Sequence, residues 1–142
     1  HYTFTGSPAV GKHIRKTIGL RKATLELGSN SATIVHNDAN VEKAAMRLAK
    51  MSFSHAGQIC ISVQRIFVQE SIQEKFLEKF LKEVSLLKVG DPLDPDTDVG
   101  PMINENEAKR IEQWVREAKE GGAEILIGGH KRREYFSSNC DY

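Results

Sequence analysis

Tyr2-Thr3-Phe4-Thr5-Gly6-Ser7-Pro8, then Val10, Ile14 and Ile18, then Gly19 and Ala23-Thr24-Leu25-Glu26-Leu27, reads as strand, helix, strand. Residues 2–6 are mostly β-branched and aromatic, and Gly6-Ser7-Pro8 breaks the strand. Pro8 suits the start of a helix with Ser7 as its cap, because its ring presets φ and its missing N–H has no intrahelical acceptor there. Val10, Ile14 and Ile18 recur at helical spacing, and Gly19 ends the helix. Residues 23–27 form a second strand, closed by Gly28-Ser29-Asn30.

The same alternation continues outward. Residues 32–36 read as a strand, and Asn40 caps a helix from Val41 to about Phe53 with Val41, Ala44, Ala45 and Leu48 on one face. Residues 63–68 read as a strand. Ser71 with Glu74 forms a capping box opening a long helix whose inward stripe is Ile72, Phe76, Leu77, Phe80, Val84 and Leu87. Residues 90–101 hold three prolines and four aspartates and read as a loop. Asn104 and Glu107 begin another helix, carrying Ile111, Trp114, Val115 and Ala118 and stopped by Gly121-Gly122; Trp114 is expected in the core. Glu124 to Ile127 supplies a last strand. Alternating strands and helices imply an α/β fold with a largely parallel sheet.

Composition excludes several classes. With 39% apolar and 27% charged residues, the 142-residue chain has the make-up of a globular domain, not a disordered tail. A net charge of +1 gives no electrostatic reason to expect nucleic acid or an anionic membrane as partner. No apolar run approaches a membrane span. Two cysteines, Cys60 and Cys140, and five scattered histidines show no ligand spacing, so no metal is expected. A disulfide framework is not indicated either, and the default compartment is a reducing cytosol. The chain opens mid-strand at His1 and closes on a polar, aperiodic run, so both ends read as cut.

Three places could carry chemistry. Cys60 follows a helix and precedes a strand, close to Gly57, which suits a turn with backbone N–H groups available to an oxyanion. Its alternative is an inert buried thiol. Glu26 lies between Leu25 and Leu27; buried, it would be a carboxylate with a raised pKa suited to a general base, and by plain strand alternation it would face solvent. Gly6-Ser7 ahead of a helix can bind phosphate, or Ser7 can be a cap alone.

Together these segments resemble the aldehyde dehydrogenase superfamily. The resemblance rests on Phe4-Thr5-Gly6-Ser7 with Val10-Gly11, Leu25-Glu26-Leu27-Gly28, Gly57-Gln58-Ile59-Cys60, and Val89-Gly90-Asp91-Pro92 with Thr97-Asp98-Val99-Gly100-Pro101, in family order from Tyr2 to about Gly129. Ser29 departs from it, standing where many members have glycine, and the segment after Gly129 does not read like the family's continuation.

The resemblance implies a partial three-layer α/β catalytic domain with mostly parallel strands. Residues 1–27 would end the dinucleotide-binding domain and residues 28–142 would begin the catalytic domain. It implies oxidation of a small-molecule aldehyde to a carboxylic acid with NAD or NADP. Cys60 would be the nucleophile, forming a thiohemiacetal and then a thioester, and Glu26 the base that activates water. Gly6 and Ser7 would meet the cofactor pyrophosphate, Val10 the adenine, and Leu27 the nicotinamide. An oxyanion asparagine and a ribose-binding glutamate would lie outside the chain, so the chain alone is expected to be inactive. A homodimer or homotetramer is implied for the full-length form. The alternative is a truncated, non-catalytic remnant or a binding or structural domain on the same scaffold.

Overall fold

A computed structural model describes residues 1–129. In chain order the elements are β1 (Tyr2–Gly6), α1 (Pro8–Ile18), β2 (Ala23–Leu27), β3 (Ala32–Val35), α2 (Val41–Phe53), β4 (Arg65–Val68), α3 (Gln73–Ser85) and α4 (Glu105–Glu120). The strands form two parallel pairs, β1 with β2 and β3 with β4. Each pair is closed through a helix, as parallel neighbours require. The α/β class with mostly parallel strands read from the sequence is therefore the class observed.

Helix starts follow the sequence closely. Ser7 Oγ accepts the Val10 N–H at the head of α1, with Pro8 in the first helical position. Asn40 Oδ1 accepts the Lys43 N–H, and Asn104 Oδ1 accepts the Glu107 N–H. Each cap satisfies an N–H that the helix cannot pair internally.

The main core lies between β3–β4 and the α2–α3 pair. Val35, Val41, Ala45, Leu48 and Phe76 are buried together, with Ile66, Val68, Ile72 and Phe80 against them. Strand alternation assigns the faces: Val35 and Val68 are register partners on the covered side, while Ile34 and Phe67, also partners, are exposed on the other. Phe76 and Phe80 stack with centroids 5.5 Å apart. In the smaller unit, α1 packs on β1 and β2, and Gly11 is buried at the closest approach. A Cβ at that position would lie 2.7 Å from both Leu27 methyls.

Several sequence expectations need correction. The capping box at Ser71 and Glu74 does not form. A 3-10 turn (Glu70–Ile72) precedes α3, with the Ile72 and Gln73 N–H groups donating to the carbonyls of Gln69 and Glu70, so the N-cap of α3 is Ile72, not Ser71, and no side chain caps it. Trp114 is not in the core: it is 56% exposed, with the Arg110 guanidinium 4.3 Å from its ring centre. The cause is that α4 buries none of its residues fully, and Val115, not Trp114, faces the Leu77–Phe80 side of α3. The strand expected at Glu124–Ile127 is absent, because no neighbouring backbone among the described residues pairs with it. The strand read over residues 63–68 begins at Arg65, and the one over 32–36 ends at Val35. Cys140 and the polar run from His130 lie outside the described residues.

Candidate active site

The parallel pairing of β1 and β2 sets their carboxyl ends side by side. Thr5 is the register partner of Glu26, and Gly6 of Leu27. Directly beyond Gly6, Ser7 opens α1, so the helix N-terminus lies at the same end of the strands. This end is where ligands bind in α/β sheets, since the chain reverses there and backbone donors are exposed.

The electrostatics of α1 suit an anion. Its first turn has no acidic residue, and Gly6, Ser7 and Val10 are exposed. Gly28 adjoins the helix start: a Cβ there would make ordinary contact with the Pro8 ring at 3.7 Å. The structure thus brings Gly6, Ser7, Val10, Glu26 and Leu27 into one region. Glu26 is exposed, which answers the open question about that side chain in favour of strand alternation.

Cys60 sits elsewhere in the chain path, in a turn between α2 and β4, and its thiol is exposed. The inert buried cysteine is thereby set aside. No hydrogen bond or ion pair joins Cys60 to Glu26 among the described residues. The Cys60 N–H likewise donates to no acceptor among them.

The backbone entering this turn is unusual. His55 (φ 52°), Ala56 (φ 55°) and Gly57 (φ 75°) all lie in the left-handed region. Only the glycine adopts it at no steric cost, and an alanine there is strained. Beneath the turn Ser62 is buried, its hydroxyl donating to the Ser52 carbonyl at 3.3 Å. Gln58 makes contacts that sequence reasoning missed. Its Nε2 donates to the His55 carbonyl at 2.9 Å, and its Oε1 accepts the Ile103 N–H at 2.9 Å. Arg65 was also missed: Nε and Nη2 both donate to the Asn30 carbonyl, at 3.0 and 2.7 Å, fixing the segment that leaves β2. The Gln58–Ile103 and Arg65–Asn30 contacts have no sequence signal because they join residues distant in the chain, and the Gln58–His55 bond has none because it depends on the left-handed backbone. Among the described residues, no cluster of histidine, cysteine or carboxylate side chains could hold a metal, and no helix is long and apolar enough to cross a membrane.

Parallel strand pairs joined through helices, with a helix N-terminus at the carboxyl ends of one pair, define an α/β protein, here with an exposed cysteine in a separate strained turn. The profile of the aldehyde dehydrogenase family matches residues 1–140, and the chain belongs to that family. The match continues past Gly129, where the sequence reading lost the resemblance.

The chain is 53% identical over 135 residues to 3-sulfolactaldehyde dehydrogenase of Priestia aryabhattai, covering 95% of this chain and 28% of that protein. It is 46% identical over 134 residues to lactaldehyde dehydrogenase of Methanocaldococcus jannaschii, covering 94% and 29%. The structure is similar to glyceraldehyde-3-phosphate dehydrogenase GapN of Methanocaldococcus jannaschii complexed with NADP, with a TM-score of 0.90 and 46% identity over 94% of this chain and 29% of that one. Betaine aldehyde dehydrogenase of Staphylococcus aureus in complex with NAD+ matches with a TM-score of 0.86 and 36% identity, over 93% and 26%. The chain therefore spans less than a third of the length of these relatives.

Proposed function

We propose that the protein containing this sequence is an NAD(P)-dependent dehydrogenase that oxidises a short 2-hydroxyaldehyde to its acid. The observation that carries this reading is the exposed Cys60 thiol, whose own N–H has no acceptor among the described residues, in a chain of the aldehyde dehydrogenase family. Residues 1–27 belong to the cofactor-binding part and residues 28–142 to the catalytic part.

The residues of this chain divide the work. The α1 N-terminus, with Gly6 and Ser7, holds the cofactor's pyrophosphate; Val10 borders the adenine and Leu27 the nicotinamide. The bound NAD or NADP supplies the hydride acceptor. The Cys60 thiolate forms a bond to the aldehyde carbon, and the carbonyl π pair moves to oxygen, where the Cys60 N–H donates to it. Loss of hydride leaves a thioester on Sγ. Glu26 takes a proton from water as the water oxygen bonds to the acyl carbon; the C–S bond breaks and the thiolate is restored. The family resemblance, not burial, supports this role for Glu26, whose exposed carboxylate has no hydrogen bond or ion pair among the described residues.

The substrate class follows from the relatives' names. Lactaldehyde, 3-sulfolactaldehyde and glyceraldehyde 3-phosphate are all three-carbon 2-hydroxyaldehydes. The Staphylococcus aureus enzyme, at lower identity, carries a cysteine that is BME-modified in one structure and BME-free in another, which fits a thiol-reactive site in the family. A cytosolic homodimer or homotetramer is the form proposed for the complete enzyme.

The test is NADH or NADPH formation by the complete enzyme with these three aldehydes and with betaine aldehyde. Turnover on the hydroxyaldehydes, lost in Cys60→Ala, is expected; in Glu26→Gln the acyl-enzyme should form and persist. The 142-residue chain alone should show no turnover. If no aldehyde yields reduced cofactor, the enzymatic reading fails and the non-catalytic alternative stands.

A further inference from the structure

We infer that Gln58 is a positioning residue for the Cys60 thiol, acting by tying the cysteine turn to the segment Pro101–Ile103. Calling Cys60 the nucleophile rests on the function proposed above, whereas the tie itself does not.

The turn that carries Cys60 is entered through three consecutive left-handed residues, His55, Ala56 and Gly57. Such a backbone persists only where surrounding contacts hold it. Gln58 supplies those contacts from both ends of its amide. Its own N–H and its Nε2 both donate to the His55 carbonyl, at 3.1 and 2.9 Å, closing the left-handed turn on itself. Its Oε1 accepts the Ile103 N–H at 2.9 Å, and Nε2 also faces the Pro101 carbonyl at 3.5 Å. Donor and acceptor requirements both agree with one orientation of the amide.

A tie is useful only if its far end is fixed, and this one is. Just before Pro101, the Asp98 and Val99 N–H groups donate to the Lys88 carbonyl at 2.9 and 3.0 Å, and the Asp98 carboxylate accepts the Lys88 N–H at 2.9 Å. Val89 and Val99 form a bridge there. Just after Ile103, Asn104 caps α4. The Pro101–Ile103 segment is thus held on both sides, and Gln58 transfers that fixed position to the turn two residues before Cys60.

The experiment combines amide hydrogen exchange at Ile103 with steady-state kinetics of the complete enzyme for Gln58→Ala, Gln58→Met and Gln58→Glu. In Gln58→Ala, Ile103 should exchange about three- to tenfold faster, the weight of one hydrogen bond. Turnover number should fall by a similar or larger factor with KM little changed. Gln58→Met keeps the side-chain length and loses both polar ends, so it carries the same expectation if Gln58→Ala fails to fold. Gln58→Glu keeps an acceptor for Ile103 and should restore its protection. Unchanged Ile103 protection in Gln58→Ala and Gln58→Met would overturn the tie. Lost protection with unchanged turnover would overturn the positioning role. A wild-type enzyme without turnover would sink the proposed function instead, leaving the exchange result to stand by itself.

Discussion

Replacing Gly11 by alanine should have opposite effects on stability depending on the residue at position 27. Gly11 is a buried position inside α1, where alanine is favoured over glycine by about 1 kcal/mol because the unfolded chain loses less backbone freedom. Against this, the new Cβ would lie 2.7 Å from both Leu27 methyls and 3.3 Å from Leu27 Cγ. Carbon atoms prefer about 3.5–4.0 Å, so the helix or the leucine must move, at a cost of about 1–3 kcal/mol. Gly11→Ala alone should therefore be neutral to destabilising by about 2 kcal/mol. In a Leu27→Ala background the obstructing atoms are gone, and the same change should stabilise by up to about 1 kcal/mol. The double-mutant cycle, read by urea unfolding with far-ultraviolet circular dichroism, should give a coupling of about 1–3 kcal/mol. Additivity within about 0.5 kcal/mol would refute the close-packing account of Gly11.

Two further expectations concern the larger unit. Phe76 is 2% exposed and stacks on Phe80, so Phe76→Ala should cost about 3–5 kcal/mol, seen as a large fall in the urea midpoint; a loss under about 1 kcal/mol would place the core elsewhere. The Glu42 pKa lies below its ordinary value of 4.5, first through its own backbone N–H and then through Lys75, whose Nζ is 3.2 Å away. A lowered folded-state pKa means that its contribution is present above the unfolded value and lost as pH falls through the folded one. Lys75→Met should raise the Glu42 midpoint in an NMR titration but leave it below 4.5, since the backbone donor remains; full return to that value, or no movement, contradicts the assignment.

Local signals made the elements legible. Ser7-Pro8, Asn40 and Asn104 mark helix starts because a side-chain acceptor beside the first turn is a short-range requirement, and all three serve as caps. Val41, Ala45 and Leu48 revealed the inward face of α2 through helical periodicity alone. What failed depended on distant partners. Trp114 lies at core spacing on α4, yet packing against other elements decides burial, and that face is exposed. Ser71 and Glu74 satisfy the capping-box spacing, but a 3-10 turn leads into α3 and moves its N-cap to Ile72. Glu124–Ile127 has strand composition without a strand partner. At the site, the glycines and Cys60 could be singled out from residue type and order. The left-handed His55 and Ala56 and the Gln58 and Arg65 contacts could not, because each depends on backbone conformation or on a partner far along the chain.

The two parallel pairs also impose an order of assembly. Tyr2 pairs with Ala23 and Ala32 with Arg65, separations of 21 (23 − 2) and 33 (65 − 32) positions. Neither pairing can be reached by a hairpin, so each waits on the helix between its strands, and the longer closure costs slightly more chain entropy. A nascent chain emerging N-terminus first completes β1, α1 and β2 while β4 is still unsynthesised. The carboxyl ends of β1 and β2, with the N-terminus of α1 beside them, can therefore be shaped before Cys60 has left the ribosome.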